Sequence, residues 1–250
     1  MAELIYVFGV TRAGEATDGI IHEGLHAITE VVSEDDFGEE SLQKHLTDMA
    51  WVTDKVVWHQ KQVDAWAARV DVIPFKFGSL FKTADNVRQM IEDKQARFHR
   101  ILDKIAGHKE WGVKLFYHKD QLGEWLQKSD EHLIEMGEEL VSSTPGKAFL
   151  LKKQFSREIN AAVKAKVNAV RAEVYEMTQQ YAADVQLSDE QPPELSEDQR
   201  INALNMALLV EEDQSKACVN AIETIHQSLD GTGMTIECTG PWPAYNFAAI

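Results

Sequence analysis

Met234-Thr-Ile-Glu-Cys-Thr-Gly-Pro-Trp-Pro-Ala-Tyr-Asn-Phe247 is the stretch on which the reading of this chain turns. Met234, Ile236 and Cys238 alternate with Thr235, Glu237 and Thr239, the two-residue period of a half-buried strand. Gly240-Pro241 should end that strand and Pro243 should break the chain again. Proline removes a backbone donor and is excluded from central strands and helix interiors. Trp242, Tyr245 and Phe247 then follow at close spacing. Three aromatics on a stiff tail need a surface to bury against. Either they dock on the protein's own sheet and lock the terminus down, or part of the tail recognises a partner.

Working back from the tail, Gly231-Thr-Gly233 is a turn, Gln214 to Leu229 a helix and Ala203 to Val210 a strand, which together make a β-α-β unit. Asp184 to Asp198 carries two prolines and six acidic residues with little to bury, and reads as a linker. Before it, Phe155, Ile159, Val163, Val167, Val170, Val174, Met177 and Tyr181 form a seam like that of a coiled coil. Leu122, Leu126, Leu133, Met136 and Leu140 form another, with Ser129 its one polar member. Ser142-Ser-Thr-Pro-Gly146 between them is a turn, so the two seams belong to an antiparallel helical hairpin and should bury each other.

The first part of the chain is mixed. Leu4-Ile-Tyr-Val-Phe-Gly-Val10 is a continuous apolar strand, and Ala27 to Val32 a second one ended by the acidic cluster Glu34-Asp35-Asp36. Glu39 to Val70 is helical, with Thr53-Asp54 as an N-cap pair that could divide it in two. Val72 to Phe77 is strand-like, and Pro74 puts it at a sheet edge or at a strand's beginning. Thr83 to Gly107 is a helix with Gly107 as its C-terminal cap, and Trp111 to Tyr117 is the next strand. This order predicts an α+β fold. A ferredoxin-like domain at residues 1–119 has helices on one face of its sheet. A C-terminal domain at 120–250 contains the hairpin (120–183), the linker (184–198) and the β-α-β unit with its tail (199–250).

At 250 residues and 44% hydrophobic, the chain can bury a full core in one large or two small domains. No run is apolar enough to span a bilayer, and the start, Met-Ala-Glu-Leu-Ile-Tyr, lacks the basic and apolar blocks of a signal peptide, so a cytoplasmic location is expected. Cys218 and Cys238 fit such a compartment as reduced, small apolar side chains. A net charge of −16 argues against nucleic acid and anionic membranes as partners, since both need a basic surface.

Few motifs suggest chemistry. His22-Glu-Gly-Leu-His26 matches the zinc-protease signature, but that chemistry needs a helix that puts both histidines on one face. Gly24 within the motif and the β-branched strand just after it favour a turn, so neither metal nor cofactor is expected. Pro145-Gly-Lys147 lacks the upstream glycine, the following Ser or Thr and the preceding strand of a phosphate loop. Lys147, Lys152, Lys153, Arg157, Lys164, Lys166 and Arg171 form a basic run in an acidic chain. It reads as a solvated helix face, or as a contact for an acidic surface. Nothing catalytic is legible.

Several segments together resemble the GvpL/GvpF family of gas vesicle proteins. They are Leu4–Val10, Val72–Phe81, Glu110–Phe116, Pro145–Lys153, Asn202–Asp213 and Gly240–Phe247, in the family's order across almost the whole chain. The closing Gly-Pro-Trp-Pro is the most specific. Lys76, Ser79 and Ala244 stand where the family pattern tends to have arginine, threonine and proline. The resemblance implies a ferredoxin-like N-terminal domain and a helical C-terminal domain. It also implies a non-enzymatic accessory or minor structural protein of gas vesicle assembly. Its expected partners are the small hydrophobic shell protein and other accessory proteins, in the cytoplasm and at the vesicle. Candidate partner-binding residues are Pro74, Phe75, Phe77 and Gly78 on the edge segment, Trp111, and Pro241, Trp242, Tyr245 and Phe247 on the tail, with the two-helix segment as a second surface. Two other classes fit the residues: a ferredoxin-like enzyme with a small ligand, and a scaffold that self-associates through the Phe155–Tyr181 seam.

Overall fold

The structure, a computed structural model, describes residues 3–14, 18–188 and 200–248. Two compact units divide the chain: Met1–Glu110 together with Pro241–Ile250, and Trp111–Gly240. The sequence reading put a single division at 119/120. The two compact units divide at 110/111, and the tail belongs to the first of them.

The first unit begins with β1 (Glu3–Arg12), β2 (Ile20–His22) and β3 (Leu25–Ser33), all antiparallel. His22-Glu-Gly-Leu25 is the two-residue turn between β2 and β3, with φ 49° at Glu23 and 73° at Gly24. Two positive values in succession are what a tight hairpin needs to follow the strand twist, and Gly24 takes the second at no steric cost. The zinc-like motif is therefore a hairpin. Its register pairs His22 with Leu25 and His26 with Ile21, so the two histidines point to opposite faces. Among the described residues no three His, Cys, Asp or Glu side chains are grouped to hold a metal.

After β3 come α1 (Glu34–Phe37), capped by Ser33, then α2 (Glu39–His45) and α3 (Met49–Ala67). The acidic cluster that was read as ending the strand is thus a helical turn. The helical region does break, but at Asp48, whose carboxylate accepts from the Ala50 and Trp51 N–H groups, rather than at Thr53-Asp54. β4 (Ile73–Pro74) and β5 (Leu80–Phe81) both pair with β1. α4 (Ala84–Ile105) follows, with Thr83 accepting from the Asn86 N–H at its start and Gly107 at positive φ just past its end.

The sheet order is β2-β3-β1-β4, with β5 also on β1. Helices cover both faces, not one. Tyr6 and Phe8 meet the rings of Trp58 and His59, while Val7 between them is fully buried. α4 also packs on β1, with Val87, Ile91, Phe98 and Leu102 buried. An uninterrupted apolar strand demands two covered faces.

β6 (His108–Tyr117) joins the second sheet, so the first sheet lacks the strand that a ferredoxin-like arrangement of residues 1–119 would require. Strand periodicity reveals burial but not which sheet accepts the strand. α5 (Lys119–Ser129), α6 (Glu131–Ser142) and α7 (Pro145–Thr178) follow, then β7 (Ala182–Leu187), β8 (Ile201–Glu211), α8 (Ser215–Ser228) and β9 (Met234–Trp242). The sheet order is β7-β8-β6-β9. Strand, helices, strand, strand, helix, strand is thus the succession of the second unit, and the C-terminal part is not simply helical.

The first arm of the hairpin is two helices, because Asp130 caps a new one by accepting from the Leu133 N–H. The seams do bury each other. Val163, Val167, Val170 and Val174 lie in one core with Leu122, Leu126 and Leu133, together with residues of β6, β8, α8 and β9. The middle of the α7 seam is thus buried within the unit, while Phe155, Ile159, Met177 and Tyr181 towards its ends are half-buried. β7 takes in the start of the expected linker, residues 189–199 lie outside the described residues, and β9 runs on through Gly240-Pro241 to Trp242. Pro241 is tolerated there because β9 is an edge strand.

Candidate functional site

Residues 73–81 form an interrupted edge. β4 pairs at Gly9 and Val10 and β5 at Ile5 and Tyr6, while the residues between them arch away from the ladder. The arch is held at three points. The Phe75 N–H donates to the Phe8 carbonyl at 2.8 Å, the Val7 N–H to the Ser79 carbonyl at 2.9 Å, and the Gly78 N–H to the Tyr6 hydroxyl at 2.9 Å. Tyr6 in turn lies 3.0 Å from His59 Nδ1, and His59 Nε2 lies 3.1 Å from the Phe75 carbonyl. Burial pushes the Tyr6 phenol up to about 12, against the smaller opposing effect of the Gly78 bond. It also pushes His59 down, against the smaller opposing effect of the bond to the Phe75 carbonyl.

Of the edge candidates, Pro74 and Phe75 are buried, with the Phe75 ring centroid 6.2 Å from that of Phe98. Phe77 is half-buried against Tyr6 and His59. Gly78 is half-buried in the arch. Close approach at Gly9 lets the edge sit so near β1: an added Cβ would come 2.6 Å from the Ile73 carbonyl oxygen.

The tail belongs to the same unit. Phe247 is buried, with Lys104 Nζ 5.3 Å from its ring centroid, and Tyr245 packs on the Tyr6–Phe8 cluster while donating to Gln60 Oε1 at 3.1 Å. Burial, with Asp64 nearby, raises the Tyr245 phenol. The Asn246 backbone and side-chain N–H groups donate to the two oxygens of Glu110 at 2.8 and 2.6 Å. Burial raises the Glu110 carboxyl and those bonds oppose the shift. Trp242 is 43% exposed, and Pro241 is exposed beside it in the chain. The docking reading therefore holds for Tyr245 and Phe247, which lock the tail down, while Pro241 and Trp242 are exposed.

Trp111 stands apart in the second unit, half-buried and donating to Ser215 Oγ at 3.3 Å. Cys218 and Cys238 are free thiols, each pushed up to about 11, first by burial, and so inert as nucleophiles near neutral pH. Among the described residues no helix is long and apolar enough to cross a membrane.

This arrangement of two sheets, a long hairpin and a returning tail matches solved structures over their full length. Gas vesicle protein GvpF from Anabaena sp. PCC7120 superposes with a TM-score of 0.70 at 16% identity, covering 99% of each chain. GvpF from Microcystis aeruginosa gives 0.65 at 17%, covering all of both. The superpositions show a shared fold, and at those identities fold alone. The sequence profile of the gas vesicle synthesis protein GvpL/GvpF family matches residues 4–249. The chain belongs to the GvpL/GvpF family.

Among curated relatives, gas vesicle protein L of Streptomyces sp. (strain CB03234) is 26% identical over 99% of this chain and 93% of its own. Gas vesicle protein L1 of Halobacterium salinarum is 26% identical over 80% and 72%. The family-like segments fall on β1, the interrupted edge, β6, the start of α7, β8 and the tail. Of the positions that depart from the family pattern, Lys76 is exposed, while Ser79 donates to the Lys76 carbonyl at 2.8 Å. Ala244 is buried in the tail, and its carbonyl accepts from the Ala248 N–H. Sequence reasoning missed Tyr6, His59 and Glu110. A phenol in an otherwise apolar strand was the one available signal, since Asn246 lies 136 positions from Glu110.

Proposed function

We propose that this protein acts in gas vesicle formation as a non-enzymatic accessory or minor structural protein, in the cytoplasm and at the vesicle. In this reading it binds the small hydrophobic shell protein and other accessory proteins. Membership of the GvpL/GvpF family supports the process. One observation carries the binding surface: the first unit combines an edge of two short strands with a presented Pro241-Trp242. An edge strand can accept a strand from another chain, and an exposed tryptophan gives a large apolar anchor. The net charge of −16 would keep such a complex dispersed.

Co-expression with the shell protein tests this. The shell protein is expected to co-purify in defined ratio and to be lost or much reduced with Trp242→Ala, with an unchanged circular dichroism spectrum and urea midpoint showing that the variant is folded. Shell protein that stays insoluble in the presence of this chain, or that binds the Trp242→Ala variant equally well, would sink the reading.

A further inference from the structure

We propose that the turn end of the α6–α7 hairpin is a docking site for an acidic amphipathic helix of a partner protein. This recognition surface is separate from the edge and tail and holds whether or not the shell protein binds there.

Three large apolar side chains near this end of the hairpin, one on α6 and two on α7, are exposed to water. Val141 is 88% exposed, Phe149 77% and Leu150 69%. Packing within the unit does not require them. The inward row of α7 runs through Leu151, Phe155, Ile159 and Val163, which are half-buried or buried, and Phe149 and Leu150 lie off that row. Helical spacing sets Phe149 beside Lys152 and Lys153, and Leu150 beside Lys153, with Arg157 one turn further; all three cations are exposed. The surface is therefore apolar studs flanked by cations.

Charge identifies the occupant. Over Pro145–Lys164 the bases Lys147, Lys152, Lys153, Arg157 and Lys164 face the single acid Glu158, within a chain of net charge −16. Glu139 at the end of α6 pairs with Lys147 at 2.7 Å, which takes both out of the balance, and Glu138 beside it is exposed, so the excess rests on Lys152, Lys153, Arg157 and Lys164 of α7. A two-fold contact between two such ends would oppose cation to cation, which disfavours a second copy. An anionic bilayer is disfavoured by the acidic remainder of the chain. A helix with an apolar stripe flanked by Asp or Glu meets both requirements, burying Phe149 and Leu150 while its carboxylates reach Lys152, Lys153 and Arg157.

The test uses the full-length protein and two fluorescein-labelled helical peptides. Both have the same leucine stripe, flanked by glutamates in one and by lysines in the other. Anisotropy should show binding of the glutamate peptide, weakening with added salt, and far weaker binding of the lysine peptide. The double variants Phe149→Ser/Leu150→Ser and Lys152→Glu/Lys153→Glu should each weaken binding about tenfold or more. All four positions are exposed, so the far-ultraviolet circular dichroism should stay unchanged. Binding of neither peptide, equal binding of both, or full affinity in both variants overturns the proposal. Capture by phosphatidylglycerol vesicles in place of the peptide would assign the surface to lipid. A dimer abolished by Phe149→Ser/Leu150→Ser would assign it to a second copy. Shell co-purification with the same variants reads the edge-and-tail proposal separately, because these positions lie outside it.

Discussion

Tyr6, His59 and the backbone at 75–78 form a hydrogen-bond chain whose proton positions are forced. The Phe75 carbonyl can only accept, so His59 carries its proton on Nε2 and presents Nδ1 as an acceptor. Tyr6 must then donate to Nδ1, while its oxygen takes the Gly78 N–H. A second proton on the ring would turn that acceptor into a donor facing a hydroxyl with no other outlet. Burial lowers the folded pKa of His59 below its unfolded value of about 6.5, so the neutral ring is the one the fold favours. Its contribution to stability is complete above about pH 6.5 and is lost as pH falls through the folded pKa. Urea midpoints should therefore drop between about pH 7 and about pH 5, and His59→Gln should reduce that drop. Tyr6→Phe should cost about 1–3 kcal/mol at neutral pH, since it strands the Gly78 N–H and His59 Nδ1. Identical pH slopes for the wild type and His59→Gln would remove the imidazole from this role.

At the scale of elements, local chemistry was legible at some caps and missed at others, such as Asp130 and Ser33. Thr83 and Gly107 bracket α4 as their types suggest, and the Gly231–Gly233 turn precedes β9. It failed where the chain offers the same signal twice. Thr47-Asp48 and Thr53-Asp54 both have the residue types of an N-cap pair; Asp48 does the capping, and Thr53 donates back to the Met49 carbonyl inside the helix. β2 escaped notice because three residues carry too little periodicity, and β7 because acidic neighbours hid a short strand. Two glycines in the first sheet separate two kinds of constraint. At Gly24 an added Cβ meets nothing within 4 Å, so Gly24→Ala pays only for its positive φ, about 1 kcal/mol. At Gly9 the Cβ would meet the Ile73 carbonyl oxygen at 2.6 Å and Val72 Cγ1 at 2.8 Å. Gly9→Ala should cost more, about 1–3 kcal/mol, by forcing the edge off β1. Chemical denaturation gives the two costs. Amide exchange at Phe75, whose N–H bonds to the Phe8 carbonyl, should quicken in Gly9→Ala alone. Equal costs and an unchanged Phe75 amide would mean that the edge yields without strain.

At the scale of the whole molecule, the closing segment was rightly singled out, but its destination was not in the sequence. Alternation marked the strand and the prolines marked the tail. That the chain leaves the first unit at Glu110 and re-enters it at Pro241 depends on pairings more than a hundred residues apart, which no local pattern encodes. This re-entry has a measurable consequence. Ala244, Phe247 and Ala248 are buried, Tyr245 is half-buried, and Asn246 supplies two donors to the buried Glu110. Ending the chain at Gly240 removes that cover at about 1.5–3 kcal/mol for a large side chain such as Phe247, and exposes the apolar floor beneath it. Hydrogen exchange should then speed up in β1 and β3, while the amides of β8 and α8 keep their protection. Glu110 adds a pH signature. Its raised folded pKa means that the protonated form suits the buried site. This contribution is therefore complete below the ordinary carboxyl range and is lost as pH rises through the folded value. In the full-length chain, β1 protection should fall on that rise, and Glu110→Gln, neutral throughout, should lose the dependence. Unchanged β1 exchange in the truncated chain would make the tail an appendage of the first unit instead of its closing element.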